Sequence, residues 1–378
     1  GYEKQIIEVN SRDQINVRLQ PTSFDIDEVV VIGYGTQKKG DLTGSISSVS
    51  SKDFNTGLIS SPEQLINGKV SGVQIMSNSG SPTSGSTIRI RGGASLNASN
   101  DPLIVLDGVP LEIGGISGNS GNFLALINPS DIESMTILKD ASSTAIYGSR
   151  ASNGVLIITT KKGSGDRLKV NFTTTNSVQT RTKLTDMLSR EEFINIVNSE
   201  GSDTQKALLG SSATNWNDEI YQTAFGTDNN LSLSGRLAKN VPVRVSLGYY
   251  NQDGLVRTDN AERITGSFSL SPSFFQDHLK LNVNAKASHN NNRFANSSTI
   301  WNAATWNPTL PVYSGNDTFG GYTEALDNAG QLVTGGTINP LGALKQYKST
   351  SRVSRLIGNF DLDYKMHFLP ELKFHATL

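Results

Sequence analysis

The residue types that most often carry out catalysis or bind metals are few and scattered in this chain. It has no cysteine, and its four histidines have no carboxylate at ligand spacing. These histidines are His278, His289, His367 and His375. A zinc site needs clustered ligands, and a hydrolytic site needs a nucleophile beside a base. The pattern therefore predicts no metal site, no cofactor and no enzyme.

Two glycine-containing stretches superficially match phosphate-binding loops. Gly33 and Gly35 lack the third glycine of a dinucleotide loop, and 35–41 ends in Asp41 where a P-loop needs lysine. The formal net charge of −1 provides no basic field to neutralise phosphates. Neither a nucleotide nor a nucleic acid is a predicted partner.

Arg89 and Arg91 project from the same face of a predicted strand, with Ile88 and Ile90 on the other face. We expect both guanidinium groups to be buried, and buried guanidinium groups need carboxylate partners. Those partners lie either within the same domain or on a wall that surrounds it.

Polar and aromatic side chains in the loops are candidate ligand contacts. Loops 92–100 and 112–122 are rich in small polar residues, which can hydrogen-bond a polar ligand or remain solvated. The candidates there are Ser95, Asn97, Asn100, Asn119 and Asn122. Loop 290–352 carries Trp301 and Trp306, which can stack on sugar rings or peptide side chains or pack within the loop.

A run of β-branched residues lies between two linker-like stretches near the start of the chain. Val29, Val30, Val31 and Ile32 favour a strand, and the glycines that follow favour a flexible tether. An exposed strand is a template for strand addition by another chain, whereas an isolated run of this kind is usually a core strand.

The sequence of residues 41–165 predicts a compact α+β unit. Ser61 followed by Pro62 predicts a helix of about two turns, and Asp140 predicts a helix that stops at Gly148. Short strands at 73–75, 87–91, 103–106, 135–138 and 154–160 complete the unit.

Period-two alternation of apolar and polar residues begins after 165. It recurs in seven segments, at 168–173, 231–237, 241–249, 264–270, 279–287, 356–368 and 372–378. Leu279, Leu281, Val283 and Ala285 would then face lipid, while Lys280, Asn282, Asn284 and Lys286 would line a wet interior. A soluble β-sandwich would show the same alternation.

The connections between these segments favour a membrane barrel over a sandwich. Short connections at 238–240, 271–278 and 369–371 alternate with a medium one at 250–263 and long ones at 183–227 and 290–352. Transmembrane β-barrels have short turns at one end and longer loops at the other. Because bacterial barrels have an even number of strands, we expect further strands after Leu378.

The ordered motifs of the first 165 residues resemble the SusC-like (SusC/RagA) branch of the TonB-dependent outer-membrane transporters of Bacteroidetes-type bacteria. The matching blocks are 27–39, 42–46, 68–74, 88–92, 103–110, 128–133, 138–151 and 153–155. The resemblance implies an α+β plug domain followed by antiparallel transmembrane β-barrel strands, an incomplete part of a barrel that has 22 strands in the family.

Four segments follow from the resemblance. Residues 1–22 resemble the end of a small carboxypeptidase-regulatory-like β-sandwich domain, 23–40 the TonB box and linker, 41–165 the plug, and 166–378 the first seven or so barrel strands. The TonB box would comprise Asp27, Glu28, Val29, Val30, Val31, Ile32 and Gly33. The resemblance also implies that Arg89 and Arg91 hold the plug to the barrel wall.

The implied function is TonB-dependent import of a glycan oligomer or a peptide across the outer membrane, with the amino terminus in the periplasm. Implied partners are TonB with its inner-membrane ExbB–ExbD motor, a SusD-like surface lipoprotein, a second copy of this pair, and outer-membrane lipid. One alternative is a TonB-dependent receptor for a siderophore or vitamin, and another is a glycan-binding β-protein that does not transport.

Overall fold

A computed structural model gives the fold of most of the chain. It describes residues 29–32, 35–38, 46–93, 99–111, 123–140, 144–184, 186–238, 241–326, 330–333, 337–369 and 371–378. Several predicted features lie outside the described residues: segment 1–22, Asp27, Glu28, Gly33, Ser95, Asn97, Asn119 and Asn122.

The predicted β-forming run is a strand, and it pairs with the residues that follow it. Strand β1 (Val29–Ile32) is antiparallel to β2 (Gly35–Lys38), with Val29 opposite Lys38 and Ile32 opposite Gly35. One edge of β1 is therefore occupied by its own chain in a two-stranded hairpin.

Residues 46–161, called the plug below, are built around a five-stranded sheet. In spatial order its strands are β3 (Ile46–Ser50), β8 (Ile132–Leu138), β9 (Val155–Thr160), β6 (Leu103–Leu106) and β7 (Val109–Leu111). Neighbours are antiparallel except β6 and β9, which are parallel. A separate hairpin pairs β4 (Val73–Ser77) with β5 (Ser86–Ile90). The predicted α+β unit is thus present, with β3 at one edge of its main sheet.

The plug core is apolar, and short 3-10 helices cover it. Pro62–Ile66 is a 3-10 helix, shorter than the predicted two-turn helix, and its Leu65 and Ile66 are buried in the core. The predicted helix that stops at Gly148 is instead a 3-10 segment, Ala145–Ala151, interrupted at Gly148 by a positive φ of 67°. The other 3-10 helices are Phe123–Leu126 and Pro129–Asp131. Propensity and capping signals located these turns but overestimated their length.

All seven predicted strands of the second half are present, and most are longer than predicted. In spatial order they are β10 (Lys169–Gln179), β11 (Ala224–Arg236), β12 (Pro242–Asp253), β13 (Asn260–Leu270), β15 (Leu279–Phe294), β16 (Ser349–Lys365) and β17 (Lys373–Thr377). Every neighbouring pair is antiparallel, and the short β14 (Ser273–Phe274) pairs with β15. The medium connection predicted at 250–263 is only 254–259, because the alternation continues through its polar flanks. These strands are called the wall.

The two faces of the wall differ in chemistry. Apolar side chains stand exposed on the outer face, among them Val170, Phe172, Phe225, Leu231, Leu247, Ile264 and Leu356. Polar side chains are buried on the inner face, among them Asn230, Arg244, Ser246, Arg263, Thr265, Asn284 and Asn359. The inner face is not uniformly polar, because Val353 and Ile357 of β16 pack against the plug core. An apolar exterior and a polar interior are the reverse of a soluble sandwich.

The long connections 180–223 and 295–348 fold together at the same rim of the wall as 254–259. Their helices are α1 (Arg190–Glu200), α2 (Asp203–Ala207), α3 (Trp216–Ile220), α4 (Thr299–Thr305) and α5 (Pro340–Gln346). Their shared core contains Trp216, Ile220, Ala303, Trp306 and Leu344. Within the described residues, none of the helices has the length and apolar character needed to cross a membrane.

Candidate functional site

The candidate site is the interface between the plug and the inner face of the wall. At this interface, polar side chains from β11, β12, β13, β15 and β16 meet polar groups from plug turns that are distant in sequence. The contacts are buried ion pairs and hydrogen bonds.

Asp131 of the plug is paired with β12. It ends the 3-10 helix Pro129–Asp131, which Asn128 caps by accepting a hydrogen bond from the backbone N–H of Ser130 at 3.0 Å. Nη2 of Arg244 donates to Oδ1 of Asp131 at 2.9 Å, and the hydroxyl of Ser246 donates to Oδ2 at 2.6 Å. The Arg244 and Asp131 side chains are only 10% and 8% exposed, so solvent screens their attraction weakly.

A second cation lies beside this pair. Nζ of Lys161, at the end of the plug, donates to the carbonyl of Ser130 at 2.8 Å. Burial, reinforced by the positive charge of Arg244, lowers the pKa of Lys161 from its ordinary value. The chain therefore leaves β9, the last strand of the plug, at a position where Lys161 and Arg244 place two basic side chains close together.

Asp107 makes a second ion pair, with β15. It occupies the tight turn between β6 and β7, where Asp107 and Gly108 have φ values of 46° and 89°. This turn directs the carboxylate to the ammonium group of Lys286, with which it forms a short contact. The carboxylate also accepts hydrogen bonds from the backbone N–H of Thr160 at 2.8 Å and from its hydroxyl at 2.7 Å. One turn residue thus holds β6, β9 and the wall together.

Arg263 of β13 reaches into the plug and donates hydrogen bonds to backbone carbonyls there. Its Nη1 donates to the carbonyls of Ser60 and Ala125, each at 2.8 Å. Its guanidinium carbon lies 4.8 Å from the centre of the Tyr250 ring, an arrangement that permits a cation–π interaction. A single wall side chain therefore connects two plug turns that are far apart in sequence.

Asn128 joins the plug to two strands at once. Its Nδ2 donates to Oδ1 of Asn230 at 2.7 Å and to the hydroxyl of Thr265 at 3.1 Å. Gly248 makes room for this amide, because a Cβ atom there would lie 2.4 Å from Nδ2 of Asn128. The absence of a side chain at Gly248 is therefore a requirement of the interface.

These contacts hold the plug to the strands by ion pairs and hydrogen bonds, and no disulfide reinforces them because the chain has no cysteine. A buried ion pair whose partners stay together adds little net stability, whereas one that loses a partner leaves a costly unpaired charge. Displacing the plug from the wall would therefore require several such contacts to be separated together.

The structure places the two predicted arginines elsewhere. Nη1 of Arg89 makes a short ion pair with Asp101, inside the plug, and the Arg89 side chain is 27% exposed. Arg91 is exposed, lies beyond the end of β5 and has a φ of 54°. The expectation that both are buried was wrong, because the strand ends at Ile90 and Arg91 turns towards solvent. Within the described residues, the contact made by Arg89 is the one inside its own domain.

The predicted ligand contacts that the structure describes occupy different environments. Asn100 is half-buried beside Gly93. Trp301 of α4 is 69% exposed. Trp306 is buried, and its ring meets that of Trp216 edge-on with centroids 6.2 Å apart. The position of Trp306 supports packing within the loop, the alternative that the sequence left open. These residues are not gathered into one described pocket.

Sequence reasoning missed most of the plug–wall contacts. Asp107 and Asp131 fell within the matching blocks 103–110 and 128–133 without a predicted partner, and Lys286 was predicted to line the interior, also without a partner. Period-two alternation could have identified Arg244 and Arg263 as charges on the inner face. It could not have named their partners, because nothing local relates positions more than one hundred residues apart.

The described part of the chain contains no group of three or more histidine or acidic side chains arranged to hold a metal ion.

Comparison with known proteins relates this architecture to one family. The TonB-dependent Receptor Plug Domain matches residues 38–155. The TonB-dependent receptor SusC of Bacteroides thetaiotaomicron is 45% identical over 100% of this chain and 39% of its own length. The TonB-dependent receptor P26 of Formosa agariphila is 35% identical over 96% of this chain and 36% of its own length.

A solved structure shares the fold. The RagAB peptide importer in its open-open state superposes with a TM-score of 0.67 at 25% identity, covering 89% of this chain and 40% of that chain. The present chain thus spans about two fifths of the length of these relatives. With its plug followed by antiparallel strands, the chain belongs to the SusC-like TonB-dependent receptors.

Proposed function

We propose that this chain contributes to the TonB-dependent import of a large nutrient across the outer membrane, with the plug as the gate of the barrel. The observation that carries the proposal is the set of buried contacts that fasten the plug to the wall, above all Asp131 with Arg244 and Asp107 with Lys286. A plug held to the barrel by ion pairs and hydrogen bonds would close the lumen and could still be displaced by work.

The proposed location is the outer membrane, with the barrel passing through it many times and the amino terminus in the periplasm. The exposed apolar side chains on the outer face of the wall support this location. Their contact with lipid would remove from water a surface that is too apolar for a soluble protein.

TonB, driven by the ExbB–ExbD motor, is the proposed source of the work. Val29–Ile32 already forms a strand, and the other edge of this strand is the template that strand addition requires. Asp27 and Glu28 precede it in the sequence and would add charge complementarity, and Gly33 would free the tether from the plug.

A SusD-like lipoprotein over the long-loop rim is the proposed second partner, and two such pairs would form a dimer. The relation to SusC and to RagAB supports this assembly. The proposed cargo is a glycan oligomer or a peptide, and RagAB is described as a peptide importer. Ser95, Asn97, Asn100, Asn119, Asn122 and Trp301 remain proposed ligand contacts.

Two other functions are testable against this one. A receptor for a siderophore or vitamin would share the plug and the wall, but the likeness to the RagAB peptide importer favours a larger nutrient. A glycan-binding protein without transport would have no need of displaceable plug contacts. A neighbouring gene for a SusD-type lipoprotein would argue against a siderophore or vitamin receptor. Loss of uptake on TonB deletion would argue against a glycan-binding protein that does not transport.

Deletion of residues 27–32 from the complete receptor tests the proposal. We expect growth on the cargo to be lost while cargo still binds to isolated outer membranes. Before this test, growth of a knockout strain on panels of glycans and peptides identifies the cargo. As a matched control, replacement of Val29, Val30, Val31 and Ile32 by threonine keeps strand propensity and should preserve uptake, because main-chain hydrogen bonds carry strand addition. Normal uptake by the deletion strain would contradict the proposal.

A further inference from the structure

A buried carboxylate at the long-loop rim connects three separate segments of the chain. Asp259 ends the connection 254–259 between β12 and β13, and it is only 4% exposed. In the described part of the chain it forms no ion pair with a basic side chain. A buried carboxylate without a counter-charge is costly, so the hydrogen bonds that it accepts need to be fully made.

These hydrogen bonds come from two directions. The hydroxyl of Thr83 lies 3.3 Å from Oδ1 of Asp259, and the side chain of Ser81 also hydrogen-bonds the carboxylate. Both residues belong to 78–85, the tip of the β4–β5 hairpin, called the plug apex below. On the other side, Asn260 pairs with Arg293, so Ala295, at the first position of the long loop 295–348, lies close to Asp259 with its backbone N–H towards the carboxylate. Burial nevertheless raises the pKa of Asp259 from its ordinary value.

The backbone around Asp259 is shaped to hold the carboxylate in place. The N–H of Gly254 donates to the carbonyl of Asp259 at 2.8 Å and closes the connection. A Cβ atom at Gly254 would lie 2.6 Å from Cβ of Asp259 and 2.7 Å from its Oδ2. Any side chain at Gly254 would therefore displace the carboxylate from its donors.

Hydrogen bonds within the plug apex connect its hydroxyl groups to one another and to its own backbone. The hydroxyls of Ser81 and Thr83 lie 2.7 Å apart, and that of Ser84 donates to the carbonyls of Ser79 and Ser81 at 3.1 and 2.8 Å. The loop side is similarly ordered, because Ala295 directly follows β15 and leads into α4.

We propose that Asp259 is a positioning residue that couples the plug apex to the start of the long loop, so that displacement of either one releases the other. The coupling itself is a structural claim. Its consequence for gating rests on the proposed function, since cargo that moves the long loop would loosen the plug apex through this carboxylate.

Hydrogen–deuterium exchange on the complete receptor tests the coupling without any ligand. In Asp259→Asn, we expect amide exchange to rise about tenfold in both 78–85 and 295–300, because an amide cannot satisfy all three donors. Asp253→Asn is the matched control in the same hairpin, since among the described residues the Asp253 carboxylate accepts a hydrogen bond only from the side chain of Asn260. It should leave both segments unchanged. An increase in one segment alone, or in neither, would overturn the proposal.

A second variant tests the coupling from the opposite side and leaves the carboxylate in place. Thr83→Val removes one donor at the plug apex, and we expect exchange in 295–300 to rise about threefold although that segment is untouched. An unchanged 295–300 would show that Asp259 does not transmit the change. Both experiments measure hydrogen–deuterium exchange rather than uptake, so their results do not depend on whether the receptor is an importer.

Discussion

The guanidinium group of Arg244, on the inner face of β12, lies 2.9 Å from the carboxylate of Asp131, in a turn of the plug 113 positions earlier in the chain. Both side chains are nearly buried. A buried ion pair of this kind adds little net stability while both partners are present, but the loss of one partner leaves an unpaired buried charge. Substitution of one partner therefore tests how firmly the plug is attached.

Arg244→Met should weaken the attachment of the plug strongly. It leaves the carboxylate of Asp131 buried without its cation, a loss of about 3–5 kcal/mol. Urea-induced release of the plug in the complete receptor, followed by protease access to the plug, measures the effect. Arg236→Met is the matched control, because its ion pair with Asp166 is largely exposed and should contribute less than about 1 kcal/mol. Equal effects of the two substitutions would show that the Arg244 pair does not hold the plug.

Gly248→Ala should disrupt the hydrogen bonds of Asn128. The new Cβ would lie 2.4 Å from Nδ2 of Asn128 and 2.6 Å from the hydroxyl of Thr265, so the amide must move away from both strands. We expect about 1–3 kcal/mol of destabilisation in the same urea assay.

Gly266→Ala, on the neighbouring strand, is the control for this substitution. The nearest atom to a new Cβ there is 3.7 Å away, in the side chain of Leu247. It should be nearly neutral. If Gly248→Ala were equally neutral, the close approach of Asn128 to β12 would be ruled out.

The two tryptophans of the long loop should behave differently. Trp306→Ala removes a buried ring that packs against Trp216, and it should destabilise the loop cluster by about 3–5 kcal/mol. Trp301→Ala removes an exposed ring and should leave loop stability unchanged. Limited proteolysis of loop 295–348 in the complete receptor separates the two outcomes. A loss of cargo affinity in Trp301→Ala, with the loop intact, would in addition support its proposed contact with cargo.

The outer face of the wall should not tolerate a charge at the level of the apolar side chains. Leu356 is 76% exposed on β16, and in a membrane barrel Leu356→Lys should cost about 2–4 kcal/mol near the middle of the lipid layer. The fraction of receptor that stays folded on an unheated gel measures the cost. Thr350→Lys, on the same face near the long-loop rim, should be tolerated. A neutral Leu356→Lys would favour the non-transporting β-protein.

Local sequence patterns were sufficient for the elements themselves. Each of the seven strands was predictable, because period-two alternation in segments such as 279–287 directly reflects a strand with two different faces. The tight turn at Asp107 and Gly108 was predictable for a similar reason, since only a few residue types adopt its backbone angles. Helix lengths were less predictable, because packing on the plug core limited Pro62–Ile66 to a single 3-10 segment.

By itself, the sequence determined the order of plug and strands, the apolar and polar faces of the wall, and the membership of a family, all of which depend on local periodicity and ordered motifs. Only the tertiary structure decided which charges meet. Arg244 pairs with Asp131, Lys286 with Asp107 and Arg89 with Asp101, because the packing of folded elements, rather than any spacing along the chain, brings these side chains together.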